Sequence, residues 1–146
     1  MKRTALKRKQ WKPKRKALKK QSKQKISVLQ RKLWELCKNL TRKKYGNVCY
    51  TCGAQGLSAL NWHTGHLFAK ASLGAYLKYD LRLLRPQCYK CNINLGGNGA
   101  NFYRKMIERE GREYLEQIER DKQVTVEAYD HYERLLSEYE KLSPVD

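Results

Sequence analysis

Apolar residues are unevenly spread along the 146-residue chain, and their spacing changes from one region to the next. Through residues 1–25 they are sparse: Leu6, Trp11 and Leu18 stand among 13 lysines and arginines, with no acid and with Pro13 midway. So few apolar residues cannot bury a face, so the segment reads as a disordered basic arm, or one that turns helical on a polyanion. From Ile26 the period becomes helical. Ile26, Leu29, Leu33, Leu36/Cys37 and Leu40 recur in steps of three and four with Lys and Arg between them. This predicts an amphipathic basic helix over 26–45, docked by its stripe and stopped at Gly46, a natural left-handed cap.

From Val48 the pattern is irregular. Residues 57–68 are short, aromatic-flanked and interrupted at Gly65, which suits a strand and loop or a hairpin. Ala71 to Lys78 suits a short loop helix, Leu81, Leu83 and Leu84 pack, and Pro86 breaks the chain before a second turn. Asn92 to Leu95 predicts a helix start that stops at Gly96-Gly97-Asn98-Gly99. Helical stripes then return as Phe102/Met106/Ile107 and Tyr114/Leu115/Ile118, with Gly111 as the break. A last helix capped by Thr125 turns Tyr129, Tyr132, Leu135/Leu136, Tyr139 and Leu142 inward. The segmentation is therefore a 1–25 arm, a 26–45 helix, a 46–103 core and a 104–146 helical region. The fold class is small α+β.

Charge sharpens this picture. Of the net charge of +18, all is carried by residues 1–45, where 19 Lys/Arg face one acid, Glu35; the remaining residues balance. Such a block suits a sequence-independent grip on a polyanion through counterion release, with Lys12, Lys14, Arg15, Lys16, Lys19 and Lys20 on phosphates. Nucleic acid fits better than an anionic membrane, because the arm shows no clean apolar face. No apolar run is long enough to span a bilayer, and no apolar segment follows the basic start, so the expected setting is cytoplasmic and reducing.

In that setting Cys49-x2-Cys52 and Cys88-x2-Cys91 read as metal ligands rather than disulfides. Two such turns supply four thiolates, a closed tetrahedral site for structural Zn2+ with no open position for chemistry. Cys37 lies on the helical stripe and reads as a small buried hydrophobe. Between the turns, His66 follows Gly65, which leaves room for a phosphate, and Asn92 follows Cys91 directly. These are parts for phosphodiester hydrolysis: a histidine to take a proton from water, and a hard cation such as Mg2+ to polarise the phosphate. Lys70, Lys78, Arg82, Arg85 and Lys90 would line the site. The competing reading is a zinc knuckle without activity. His131, in an acidic helix, reads as packed or exposed rather than functional.

The ordered set Cys-x2-Cys, Trp62-x2-Gly65-His66, Leu81-Arg82, Gln87-Cys88-x2-Cys91-Asn92, Leu95-Gly96-Gly97-Asn98 and Tyr103-Arg104 resembles the HNH (His-Me finger, ββα-metal) nucleases that carry a zinc knuckle. The closer resemblance, over about residues 48–140, is to the NinG (Rap) family of lambdoid phage recombination endonucleases. The resemblance implies a zinc-stapled ββα-metal core and an endonuclease acting on D-loops and Holliday junctions, in a host-cell cytoplasm. By position it makes His66 the general base, Asn92 a ligand of the catalytic divalent ion (Mg2+ or another), and the four cysteines the zinc site. Many HNH members place Asp or His just before the base, where this chain has Gly65. His63, Asn98 and Asp80 are the candidate second ligands, His63 first because it shares an element with His66; alternatively His66 is itself a ligand. The partner is branched or double-stranded DNA, and symmetric cutting of a four-way junction would suit a homodimer through the Tyr-rich last helix. The alternative is a non-catalytic zinc-dependent nucleic-acid-binding recombination or regulatory factor.

Overall fold

Lys, Arg, Gln, Ala and Leu, which dominate the first 45 residues, are all strong helix formers, and once a stripe docks they extend a helix at little cost. The computed structural model describes the backbone of residues 4–143 and the side chains of residues 22–143. In it α1 runs from Thr4 to Tyr45, 42 residues and about 63 Å at the helical rise. The segment expected as a disordered arm thus enters the same helix without a break at residue 25. The phosphate contacts expected of Lys12, Lys14, Arg15, Lys16, Lys19 and Lys20 lie outside the described side chains. Gly46 ends α1 in the left-handed region, and its N–H donates to the Arg42 carbonyl at 2.8 Å.

The sheet has two antiparallel strands, β1 (His63–His66) and β2 (Leu84–Gln87), with His63 opposite Gln87 and His66 opposite Leu84. The short helix α2 (Ala75–Lys78) lies between them. After β2 comes a single π-type turn over Lys90–Asn94, then α3 (Gly99–Glu110), α4 (Arg112–Asp121) and α5 (Ala128–Leu142). Pro86 therefore does not break the chain; it sits inside β2. A two-stranded sheet consists only of edges, so a residue without an N–H is tolerated there. The last helix is capped by Glu127, whose carboxylate accepts the Asp130 N–H at 2.8 Å, and not by Thr125. Of the residues expected to face inward on α5, Tyr132, Leu135 and Tyr139 are buried while Leu142 is exposed.

The core is divided into three pieces. The stripe of α1 (Leu29, Leu33, Cys37) packs on Tyr132, Leu135 and Tyr139 of α5 and on Leu84 of β2. On the other side Leu67, Leu73, Leu77 and Leu83 meet Phe102 and Met106 of α3 and Leu115 and Ile118 of α4. The third piece is Cys49, Leu57, Trp62, Cys88 and Cys91. Cys37 is fully buried, as its place on the stripe predicts, and burial pushes its thiol up to about 12.

Two arginines expected to face a phosphate are used inside this framework instead. Arg85 is 1% exposed. It donates to the Leu84 carbonyl (2.8 Å) and to Glu110 Oε1 (3.1 Å), with the Tyr45 ring 4.4 Å away. Arg82 bridges Asp80 (2.7 Å) and Asp121 (2.8 Å), tying the entry of β2 to the end of α4. Their charge was legible, but their partners, 25 and 39 positions further on, were not. Replacing Arg85 by Ala leaves the half-exposed Glu110 unpaired beside a cavity, and a loss of roughly 3 kcal/mol in urea unfolding is expected. Arg85→Lys should recover little, because one ammonium cannot reproduce the guanidinium's several donors. An unchanged unfolding midpoint would show that the buried pair is not structural.

Candidate zinc centre and histidine site

Each cysteine pair sits on a turn that its own backbone closes. The Cys49 N–H donates to the Ala54 carbonyl at 2.8 Å, and the Gly53 N–H donates back to the Cys49 carbonyl at 2.9 Å. Gly53, just after the second cysteine, adopts φ +78°, which favours glycine. At the second turn Asn92 N–H reaches the Cys88 carbonyl (3.0 Å), and Cys91 N–H points at Cys88 Sγ (3.4 Å). The antiparallel strands then bring the turns together. All four Sγ atoms lie within 4.8 Å of one another, with Cys52 and Cys88 at 3.7 Å. A tetrahedral ion with sulfur bonds of about 2.3 Å has sulfur–sulfur edges of roughly 3.8 Å, so the donor set fits zinc.

The surroundings favour thiolate character. Thr51 Oγ1 lies 3.3 Å from Cys49 Sγ, and the Asn98 amide donates to Cys91 Sγ at 3.5 Å. Burial works to raise the Cys49 thiol, yet Thr51 and nearby backbone N–H groups bring it down to about 6. For Cys52, burial and then the neighbouring cysteine sulfurs push the thiol up to about 12. One sulfur ionises readily and the next resists, the situation a bound dication resolves. Gln87, fully buried, connects the turns to the sheet: its amide donates to Thr51 Oγ1 (3.2 Å) and to the Gly97 carbonyl (2.8 Å). Sequence reasoning named Gln87 only as part of the motif leading into Cys88 and gave it no role.

The Gln87 side chain also occupies the space above Gly65. A Cβ at position 65 would collide with the Gln87 amide oxygen. The gap expected to admit a phosphate is therefore filled by protein.

His63 and His66 do not share a face. Alternation along a strand sends His63 and Gly65 to the side of Arg85 and Gln87, and Thr64 and His66 to the side of Leu84 and α1. His63 rests against the Leu60 carbonyl (2.9 Å) and the edge of the Tyr89 ring (5.6 Å). His66, half-buried, stacks on Trp34 of α1 at 5.3 Å, with Lys70 Nζ 4.4 Å from the same tryptophan. Burial, and to a lesser degree the Lys70 charge, lowers its pKa to about 4. At neutral pH the ring is uncharged. Nε2 lies 3.2 Å from the Lys78 carbonyl, which can only accept, so Nε2 carries the proton and Nδ1 presents a lone pair. Sequence reasoning missed Trp34, which stands next to Leu33 but is not one of the stripe positions.

The candidate ligands for a second, hard cation are engaged elsewhere. His63 faces away from His66; Asn98 serves Cys91 Sγ and accepts from Asn101 (2.9 Å); Asp80 is held by Arg82. Asn92 sits in the second cysteine turn, beyond the Gln87 end of β2, whereas His66 pairs with Leu84 at the other end, and no hydrogen bond joins them among the described residues. The four cysteines are the one cluster of three or more His, Cys, Asp or Glu ligands that the described residues form. The residues present therefore do not fit a preassembled Mg2+ site. Lys70 and Lys90 are exposed, as a phosphate contact requires. No helix of the described residues is long and apolar enough to cross a membrane.

The purified chain should carry one zinc per molecule by elemental analysis. Cys88→Ser should lose it together with cooperative unfolding; full folding without metal would refute the staple. By NMR, the His66 ring should titrate near 4 rather than 6.5. Its folded pKa is depressed, so the stability tied to its neutral form is present above about 6.5 and is lost as pH falls toward 4. A midpoint near 6.5 would show the ring to be solvated.

The family model described as "Bacteriophage Lambda NinG protein" matches residues 1–143. Protein ninG of Escherichia phage 933W is 31% identical over 71 residues, 49% of this chain and 34% of that protein. Protein ninG of Salmonella phage P22 is 32% identical over 73 residues, 50% of this chain and 34% of that protein. For protein ninG of Escherichia phage lambda the figures are 30% over 71 residues, 49% and 33%. The matched stretch thus spans about a third of the length of these relatives. No solved structure matches the chain. The matched span takes in both cysteine turns, the strands between them and the helices around them, and the chain belongs to the NinG family.

Proposed function

We propose that this chain is an endonuclease acting on branched DNA, with zinc as a structural staple and His66 as the base that takes a proton from the attacking water. The observation that carries the reading is the state of His66. A neutral ring, fixed as the Nε2–H tautomer by the Lys78 carbonyl, offers Nδ1 to a proton donor, while Trp34 limits its rotation. A base needs that combination of tautomer, orientation and charge state. Family membership and the concentration of positive charge in residues 1–45 support DNA as the substrate. Selectivity for branches would come from shape and bendability rather than from base-edge contacts.

A second reading has its own support. Because the described residues assemble no cluster of His, Cys, Asp or Glu ligands beside His66, a zinc-dependent DNA-binding factor without hydrolytic activity accounts for the same staple and charge.

Cleavage of synthetic linear, looped and four-way substrates, in Mg2+ and in Mn2+, separates the two. His66→Ala should lower cutting by about a hundredfold or more while junction affinity stays within about twofold. Equal cutting by the variant would remove His66 from the mechanism, and no cutting by the native chain with either ion would favour the binding factor. A base with a pKa near 4 is already unprotonated at neutrality. The rate should therefore hold as pH falls from 8 to about 6 and decline only nearer 4.

A further inference from the structure

The knuckle carries an apolar tip that neither the zinc staple nor the histidine site uses. Leu60 is 90% exposed, Tyr89 beside its loop is about half exposed, and Ile93 and Leu95 further along the second turn are about as exposed. The tip is held rigidly. Ala59 is forced to φ +45°, a region a residue with a Cβ occupies only when its surroundings impose it. The Asn61 side chain accepts the Tyr89 N–H at 2.9 Å, and His63 Nε2 lies 2.9 Å from the Leu60 carbonyl with its ring against Tyr89. The 59–63 loop and Tyr89 of the second cysteine turn are thus clamped to each other, with the Leu60 and Tyr89 side chains left exposed. A strained, cross-linked turn that presents a leucine to solvent gains nothing for the fold.

Charge identifies what the tip meets. Between residues 36 and 107 the chain has one acid, Asp80, and Arg82 neutralises it. The tip carries Lys90, and Trp62 close by is covered by Arg42 at 4.2 Å. An apolar projection from a stretch whose one acid is paired, and which carries Lys90 beside Tyr89, matches a polyanion with exposed apolar faces, which is DNA whose bases are unstacked. A second copy docking the same face would bring two cationic surfaces together.

We infer that Leu60 and Tyr89 form a wedge that inserts at the branch point of DNA, Leu60 parting a base step and Tyr89 stacking on the freed base. The wedge rests on the branched-DNA reading above but not on cleavage. It would recognise the branch because bases there are already partly unstacked, so that opening them costs least.

The test uses the full-length, zinc-loaded chain and a four-way junction with 2-aminopurine at the branch, without added Mg2+ so that cutting does not enter. Binding should raise the 2-aminopurine fluorescence at the branch and not in a linear duplex. Leu60→Ala and Tyr89→Ala should abolish that rise. They should weaken junction binding roughly five- to a hundredfold, leaving linear-duplex binding within about twofold and the zinc content unchanged. Leu60→Met should keep most of the effect. Native fluorescence and affinity in both alanine variants overturn the wedge. So does a variant that loses self-association or capture of a protein partner while its junction binding is intact. Base opening by a chain that still cuts nothing when Mg2+ or Mn2+ is then added would leave the wedge standing and sink the endonuclease, and metal-dependent cutting that is indifferent to both substitutions would do the reverse.

Discussion

Everything in the middle of this chain depends on four sulfur atoms that must share one small volume. Three of the four are buried, and once one ionises the next resists unless a cation sits between them. With one, two turns 35 residues apart become a single rigid block. The strands between them are only four residues each, too few to be stable alone. The sheet therefore rests on the block at one end and on the α1–α5 packing at the other. Gln87 transmits the constraint, because its one amide spans Thr51 beside the first turn and Gly97 beyond the second.

The division of the core into three pieces has a functional corollary. Small clusters can be joined by polar ties rather than by one continuous apolar interior, and this chain uses them. Arg85 connects β2 to the end of α3 through Glu110, Arg82 connects the approach to β2 with α4, and Tyr139 donates to the Tyr79 carbonyl at 2.8 Å to hold α5 against the loop. Cations that composition would assign to a ligand are consumed by the architecture. The positive charge left for a polyanion then lies on α1 and around the knuckle.

The sequence allowed much of this to be read and concealed the rest for identifiable reasons. Repeats with a local period were legible: the α1 stripe, the Gly46 stop, the Gly111 break and the two cysteine turns each declare themselves within a few residues. Features that need a distant partner were not. β2 was hidden because Pro86 usually argues against a strand, and only the pairing with Thr64 shows how it is accommodated. His63 and His66 seemed natural companions at a separation of three, but an extended backbone turns that spacing into opposite faces. Asn98 and Asp80 suit a hard cation by chemistry, and only the fold reveals that one caps a sulfur and the other holds an arginine. The knuckle tip was invisible because exposure and backbone strain leave no mark in composition.

The close fit of Gln87 over Gly65 limits what position 65 can hold. An acid or an imidazole there would have to push aside the amide that links the two cysteine turns. A larger residue 65 therefore calls for a shorter residue 87, and shortening residue 87 gives up the hydrogen bonds to Thr51 and Gly97.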